Sequence, residues 1–77
     1  MTVNATLQHL LGLFAYTHLP DHLQSVSKPF HLLAHRMVKG LARDVDTIEL
    51  EVGLRKLIEA KDCCVRQAVA NSRWESK

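Results

Sequence analysis

From Leu23 to Leu41 the apolar residues Leu23, Val26, Phe30, Leu33, Ala34, Met37, Val38 and Leu41 recur every three or four positions. A second stripe, Leu50, Leu54, Leu57, Ile58, Val65, Ala68 and Val69, follows with the same period, and Cys64 falls on it. This is the spacing of one face of an α-helix. Two long amphipathic helices with only a short stretch between them must cover each other's apolar faces. The reading is therefore all-α, an antiparallel helical hairpin. Pro20-Asp21 suits the first turn of the first long helix. Asp46-Thr47-Ile48-Glu49 has the D-x-x-E form of a capping box for the second.

A shorter piece precedes them. Val3, Leu7, Leu10, Leu11 and Phe14 lie at helical spacing, Asn4 or Thr2 can cap them, and Tyr16 to Pro20 ends them. The expected helices are 3–14, 20–42 and 47–71, with Ser72 to Lys77 as a frayed end. Gly40 and Arg43-Asp44-Val45-Asp46 mark the turn. Pro29 lies inside the first long stripe, where it removes a backbone hydrogen bond and crowds the carbonyl of Ser25. Either it kinks one helix, or Ser27 caps a fresh one. Arg55 with Glu59, and Asp62 with Arg66, are opposite charges four apart.

A chain of 77 residues allows one domain, 1–77, and buries only roughly 60 to 65% of the surface it exposes when unfolded. With aromatics at 5%, the core is expected to be aliphatic. A hairpin has a single seam, and Leu10, Phe14, Met37, Val52 and Trp74 offer a second apolar surface. Assembly into a homo-oligomer follows as the expectation. A net charge of +2 is too small for a DNA coat or a polybasic membrane patch. The run Leu10 to Ala15 is far short of the ~20 residues of a membrane span, and no basic segment of the signal-peptide kind precedes it. Cys63 and Cys64 are adjacent and poorly placed to bridge each other, which fits a reducing cytoplasm.

Catalysis finds little support in the residues. His18 with His22, and His31 with His35, are four apart, yet no H-E-x-x-H pattern forms and Cys63-Cys64 lacks C-x-x-C spacing. Surface or half-buried histidines without a metal are the better account. The two cysteines fall mid-helix, where backbone N–H groups are already bonded and no oxyanion site is available. Cys64 reads as a small buried apolar residue. Gly12, Gly40 and Gly53 are isolated, so no phosphate loop is formed. No enzyme activity and no cofactor are expected.

Binding functions fare better. Arg55, Lys56, Lys61 and Arg66 share a helix, but Glu51, Glu59 and Asp62 interrupt any stripe facing duplex phosphates. A DNA-binding or protein-interaction module is the alternative reading. The segment from Tyr16 to His35 is more pointed: an aromatic before a helix, then Lys28, His31 and His35 along it. Such residues can stack a base and neutralise phosphate, which suits a small nucleotide held between subunits.

Two stretches carry a family resemblance. Phe14-Ala15-Tyr16-Thr17-His18-Leu19-Pro20 is one. Leu54-Arg55-Lys56-Leu57-Ile58-Glu59-Ala60-Lys61-Asp62, running on to Val65-Arg66-Gln67-Ala68-Val69-Ala70, is the other. Together they resemble the helical-hairpin phage proteins of the anti-CBASS cyclic-oligonucleotide sponge family and the related anti-Thoeris sponges. The resemblance spans about residues 14 to 70. It implies a compact homo-oligomer, a hexamer in the anti-CBASS branch, in the cytoplasm of a bacterial host. Such a protein sequesters cyclic di- or trinucleotide messengers without chemistry, so the host's defence effectors are never activated.

The resemblance also implies site residues. Tyr16 is the stacking aromatic, and the basic position on the first long helix falls on His31. Histidine departs from the usual lysine or arginine and is a weaker phosphate partner near pH 7. Lys28 or Arg36 can take that role. Arg55 and Lys56 are candidates for a second nucleotide site.

Overall fold

A computed structural model describes residues 4–43 and 46–75. Three helices account for most of them: α1 (Ala5–Gly12), α2 (Asp21–Leu41) and α3 (Ile48–Glu75). No strand occurs among the described residues, so this part of the chain is all-helical. Val3 and Thr2, expected in or beside α1, lie outside the described residues, as do Asp44 and Val45 of the turn.

α1 starts where Asn4 turns its side-chain oxygen back to accept the Leu7 N–H at 2.8 Å. It ends two residues before the expected Phe14. The N–H groups of Leu13 and Phe14 instead bond the carbonyls of Leu10 and Leu11, three residues back, which tightens and closes the last turn. The Lys61 ammonium, reaching across from α3, donates to the Leu13 carbonyl at 2.8 Å. A cation at a helix carboxy end satisfies a spare carbonyl and complements the dipole there.

α2 begins at Asp21, as Pro20 predicts, and runs 21 residues without interruption through Pro29. Pro29 therefore neither starts a new helix nor receives a cap from Ser27. Its ring is exposed, so it can crowd the helix only on the solvent side. The buried residues of α2 are Leu23, Ser27, Ala34 and Val38, while Leu33 and Leu41 of the expected stripe stand exposed. Two small side chains, Ser27 and Ala34, thus lie where α3 packs. They allow the helices to approach closely.

α3 runs 28 residues, past the expected end at Asn71. Residues 72–74 contain no glycine or proline to stop the helix, and Gln67 braces it by donating to Asn71 at 2.8 Å. Its start also differs from the expected capping box. Asp46 accepts the Ile48 N–H, while Thr47 directly precedes the helix, its carbonyl taking the Glu51 N–H and its hydroxyl donating to the Glu51 carboxylate at 2.7 Å. Asn4 completes the arrangement by donating to the Thr47 hydroxyl at 3.2 Å, tying the start of α1 to the start of α3.

Leu7, Leu10, Phe14, Ala34, Val38, Ala42 and Leu54 form the buried cluster, with Phe30, Met37, Leu50, Leu57 and Ile58 against it. Leu10 and Phe14 are core rather than spare surface, because α1 packs on both long helices. Phe14, an aromatic, is the largest fully buried side chain of an otherwise aliphatic core. Val52 and Trp74 do remain exposed. Cys64, expected buried, is exposed together with Cys63. In that half of α3 the inward positions belong to Lys61, Val65, Ala68 and Val69. Arg66 does not pair with Asp62: it donates to the Cys63 sulfur at 3.2 Å, and Asp62 meets Lys61 at 3.3 Å.

Candidate functional site

The connection from Leu13 to Pro20 delivers Tyr16 to the side of α2. Two local features hold it there. The Leu19 N–H bonds the Tyr16 carbonyl at 3.0 Å, and the Gln24 amide donates to the carbonyls of Thr17 and Leu19 at 3.2 and 2.8 Å. Gln24 sits in the first turn of α2, so the loop is fastened to the helix it enters.

Tyr16 then meets His31. Their ring centroids are 5.1 Å apart at an interplanar angle of 67°, an edge-to-face contact. His35, one turn further, lies 4.3 Å from His31 with the rings tilted by 51°. The three rings form a short column along α2. Burial lowers the pKa of His35 from its ordinary value, and positive charge on His31 lowers it further. His35 is nonetheless mostly exposed, so packing against His31 removes water from only part of the ring. Nδ1 of His31 is buried and has no hydrogen-bond partner.

The other expected residues are placed unequally. Lys28 is exposed three positions before His31, about 60° around the helix, and so borders the ring column. Arg36 is five positions after His31, about 140° around, and points away from the column. Arg55 and Lys56 are exposed on α3, a different element. Among the described residues none of these four cations makes a hydrogen bond or ion pair. Lys61 and Arg66, by contrast, are committed to protein partners, which breaks up the row of basic residues along α3.

No protein-family model, curated protein or solved structure matches the chain.

The spacing in the sequence points to Tyr16, Lys28, His31 and His35 together. His35 carries the same signal, four residues beyond His31, and belongs to the column although it is not among the six expected site residues. No three His, Cys, Asp or Glu side chains converge among the described residues. His31 and His35 have each other and Tyr16 as neighbours, in edge-to-face and tilted ring contacts. A flat aromatic face, two imidazoles and a free lysine offer stacking, hydrogen bonding to phosphate oxygens, and a positive charge. Among the described residues no helix is long and apolar enough to cross a membrane.

Proposed function

We propose that this chain is a cyclic-oligonucleotide sponge of the anti-CBASS kind. It binds cyclic di- or trinucleotide messengers and withholds them from host effectors, without catalysis. The observation that carries the reading is the contact of Tyr16 with His31. The aromatic and the phosphate-position residue implied by the resemblance stand beside each other, with Lys28 at the border. In this reading Tyr16 stacks a base, while His31 and Lys28 meet phosphate, helped by His35. Arg36, Arg55 and Lys56 would act only on ligand or subunits reaching round from elsewhere.

The proposal includes the assembly. The two long helices are taken as an antiparallel hairpin that forms a homo-oligomer, a hexamer by resemblance, in the bacterial cytoplasm. Leu32, Leu33, Leu41, Ile48 and Val52 are exposed, which gives such an assembly apolar surface to cover. A duplex-DNA module is the weaker reading, because Lys61 and Arg66 already have protein partners.

Titration with a panel of cyclic di- and trinucleotides tests the reading through thermal stabilisation. A messenger held at a hundredfold over its Kd should add about 2.7 kcal/mol. Tyr16→Ala should remove the shift. No stabilisation by any messenger, or the same stabilisation in Tyr16→Ala, would overturn the proposal. Salt-sensitive affinity for duplex DNA would point to the other reading.

A further inference from the structure

Two buried polar atoms lack a hydrogen-bond partner among the described residues, the Ser27 hydroxyl and Nδ1 of His31. The Ser27 case is the sharper, because the residue is 1% exposed. A buried hydroxyl left without a partner costs stability, and native folds seldom leave one so without a reason. Ser27 also lines a half-open cavity of about 330 Å³ between the α1–α2 connection and α3. A volume of that order lies at the lower end for small-molecule pockets. Leu13, Leu19 and Val65 supply apolar walls, and Lys61 and Asp62 the polar rim.

The rim has a definite hydrogen-bonding pattern. Lys61 has three N–H donors and spends them on the Leu13 carbonyl and on Asp62, leaving one to spare. Asp62 meets Lys61 through one oxygen at 3.3 Å, so its carboxylate keeps further acceptor capacity. The cavity edge thus offers a donor beside an acceptor that can take two N–H groups. Guanine presents the complement on its Watson–Crick edge: the O6 acceptor, then the N1–H and N2–H donors. Adenine and cytosine each carry a ring-nitrogen acceptor, N1 or N3, where guanine has its N1–H donor. The hydroxyl of Ser27 can donate or accept, so it can turn to whichever heteroatom of the base reaches it.

We propose that this cavity is a separate binding site for one guanine base, read by Lys61 and Asp62 and anchored by Ser27. The site does not use Tyr16 or His31 and does not depend on the messenger reading.

Titration of the full chain with guanosine 5′-monophosphate, followed by amide chemical shifts, tests it. The expected result is saturable binding that perturbs Ser27, Lys61 and Val65. Adenosine and cytidine monophosphates should bind at least roughly tenfold more weakly. Ser27→Ala and Asp62→Asn should each weaken guanosine monophosphate by roughly tenfold, the scale of one lost hydrogen bond to a buried or charged group.

Ser27→Ala gives a second reading. Removing an unpartnered buried hydroxyl should leave the thermal midpoint of the free protein unchanged or raised, so lost affinity cannot be blamed on unfolding. Three results would overturn the proposal. They are absence of binding, equal binding of the three nucleotides, and affinity indifferent to both substitutions. No cyclic messenger is present, so failure here leaves the Tyr16→Ala experiment to be judged separately.

Discussion

The imidazole of His35 takes up a proton less readily than an ordinary histidine, first because packing dries part of the ring and then because His31 resents a second charge beside it. The sign of the stability effect follows. Above the unfolded value of 6.5 both states carry neutral His35, and the group contributes no pH dependence. Below it, the unfolded chain binds the proton first, so stability falls with pH until the folded state is protonated as well. His35→Gln should therefore lose less stability than the parent between neutral and mildly acidic pH, measured by thermal denaturation of both proteins. Parallel curves would contradict this account. The difference should be small, since the ring is largely exposed and water screens its charge. A bound phosphate would act the other way, favouring the protonated form of His35, so ligand binding should be accompanied by proton uptake in mildly acidic solution.

At this scale the sequence was partly legible. Lys28, His31 and His35 follow a spacing that any helix converts into neighbourhood, whereas Tyr16 reaches them only through the connection between α1 and α2. Ser27 was not readable in the same way. A serine near a proline suggests a cap, and only the packed helices reveal that it faces α3 with its hydroxyl unanswered. Likewise Cys64 sits near the edge of the α3 stripe, where periodicity cannot say which of two adjacent positions turns inward.

Among the elements, α2 presents the clearest local conflict. Proline in a helix interior leaves one carbonyl without its donor and strains the turn before it, yet α2 continues on both sides. Because Pro29 is exposed, replacing it removes little packing. Pro29→Ala should therefore stabilise the chain by about 1–3 kcal/mol, the proline penalty offset by the greater freedom of the unfolded variant. Urea unfolding with an unchanged slope measures it. A loss of stability would mean that the helix depends on a bend at this point. The ends of elements were the least legible part. α1 stops early because its last turn closes on carbonyls three residues back and on Lys61, a partner 48 positions away in the chain. α3 runs late because nothing in its sequence terminates it. Its start is fixed by Thr47 and Asn4 together, and no local motif could have named a residue 43 positions distant.

As a whole the molecule is long and thin, 52 × 19 × 17 Å, with a radius of gyration of 14.3 Å. A compact chain of this length would have a radius near 11.5 Å. It exposes 5541 Å² where a compact monomer of its mass would expose about 4,700 Å². The excess surface includes Leu41 and Ile48, both more than half exposed. If copies associate through such surface, the thermal midpoint must fall on dilution, by mass action. Ile48→Lys should shift the sedimentation profile towards monomer and weaken that concentration dependence. A monomer at every concentration, with a midpoint indifferent to dilution, would remove the oligomer from the account. The helical class was legible because periodicity is a property of each helix alone. Which copies meet, and by which face, is a property of surfaces that no single stripe encodes.

α3 outlasts its expected end, and its last turn carries the chain's single tryptophan, Trp74, 77% exposed. That end lies beside the beginning of α2, where His22 and Leu23 approach Val69, Ser72 and Arg73. Indole emission shifts to the blue when the ring leaves water, and a nearby base quenches it. The protein thus carries its own lamp at the end where the Tyr16 loop enters α2. Subunits closing over that end would change its colour, and a nucleotide arriving there would change its brightness, with no label attached.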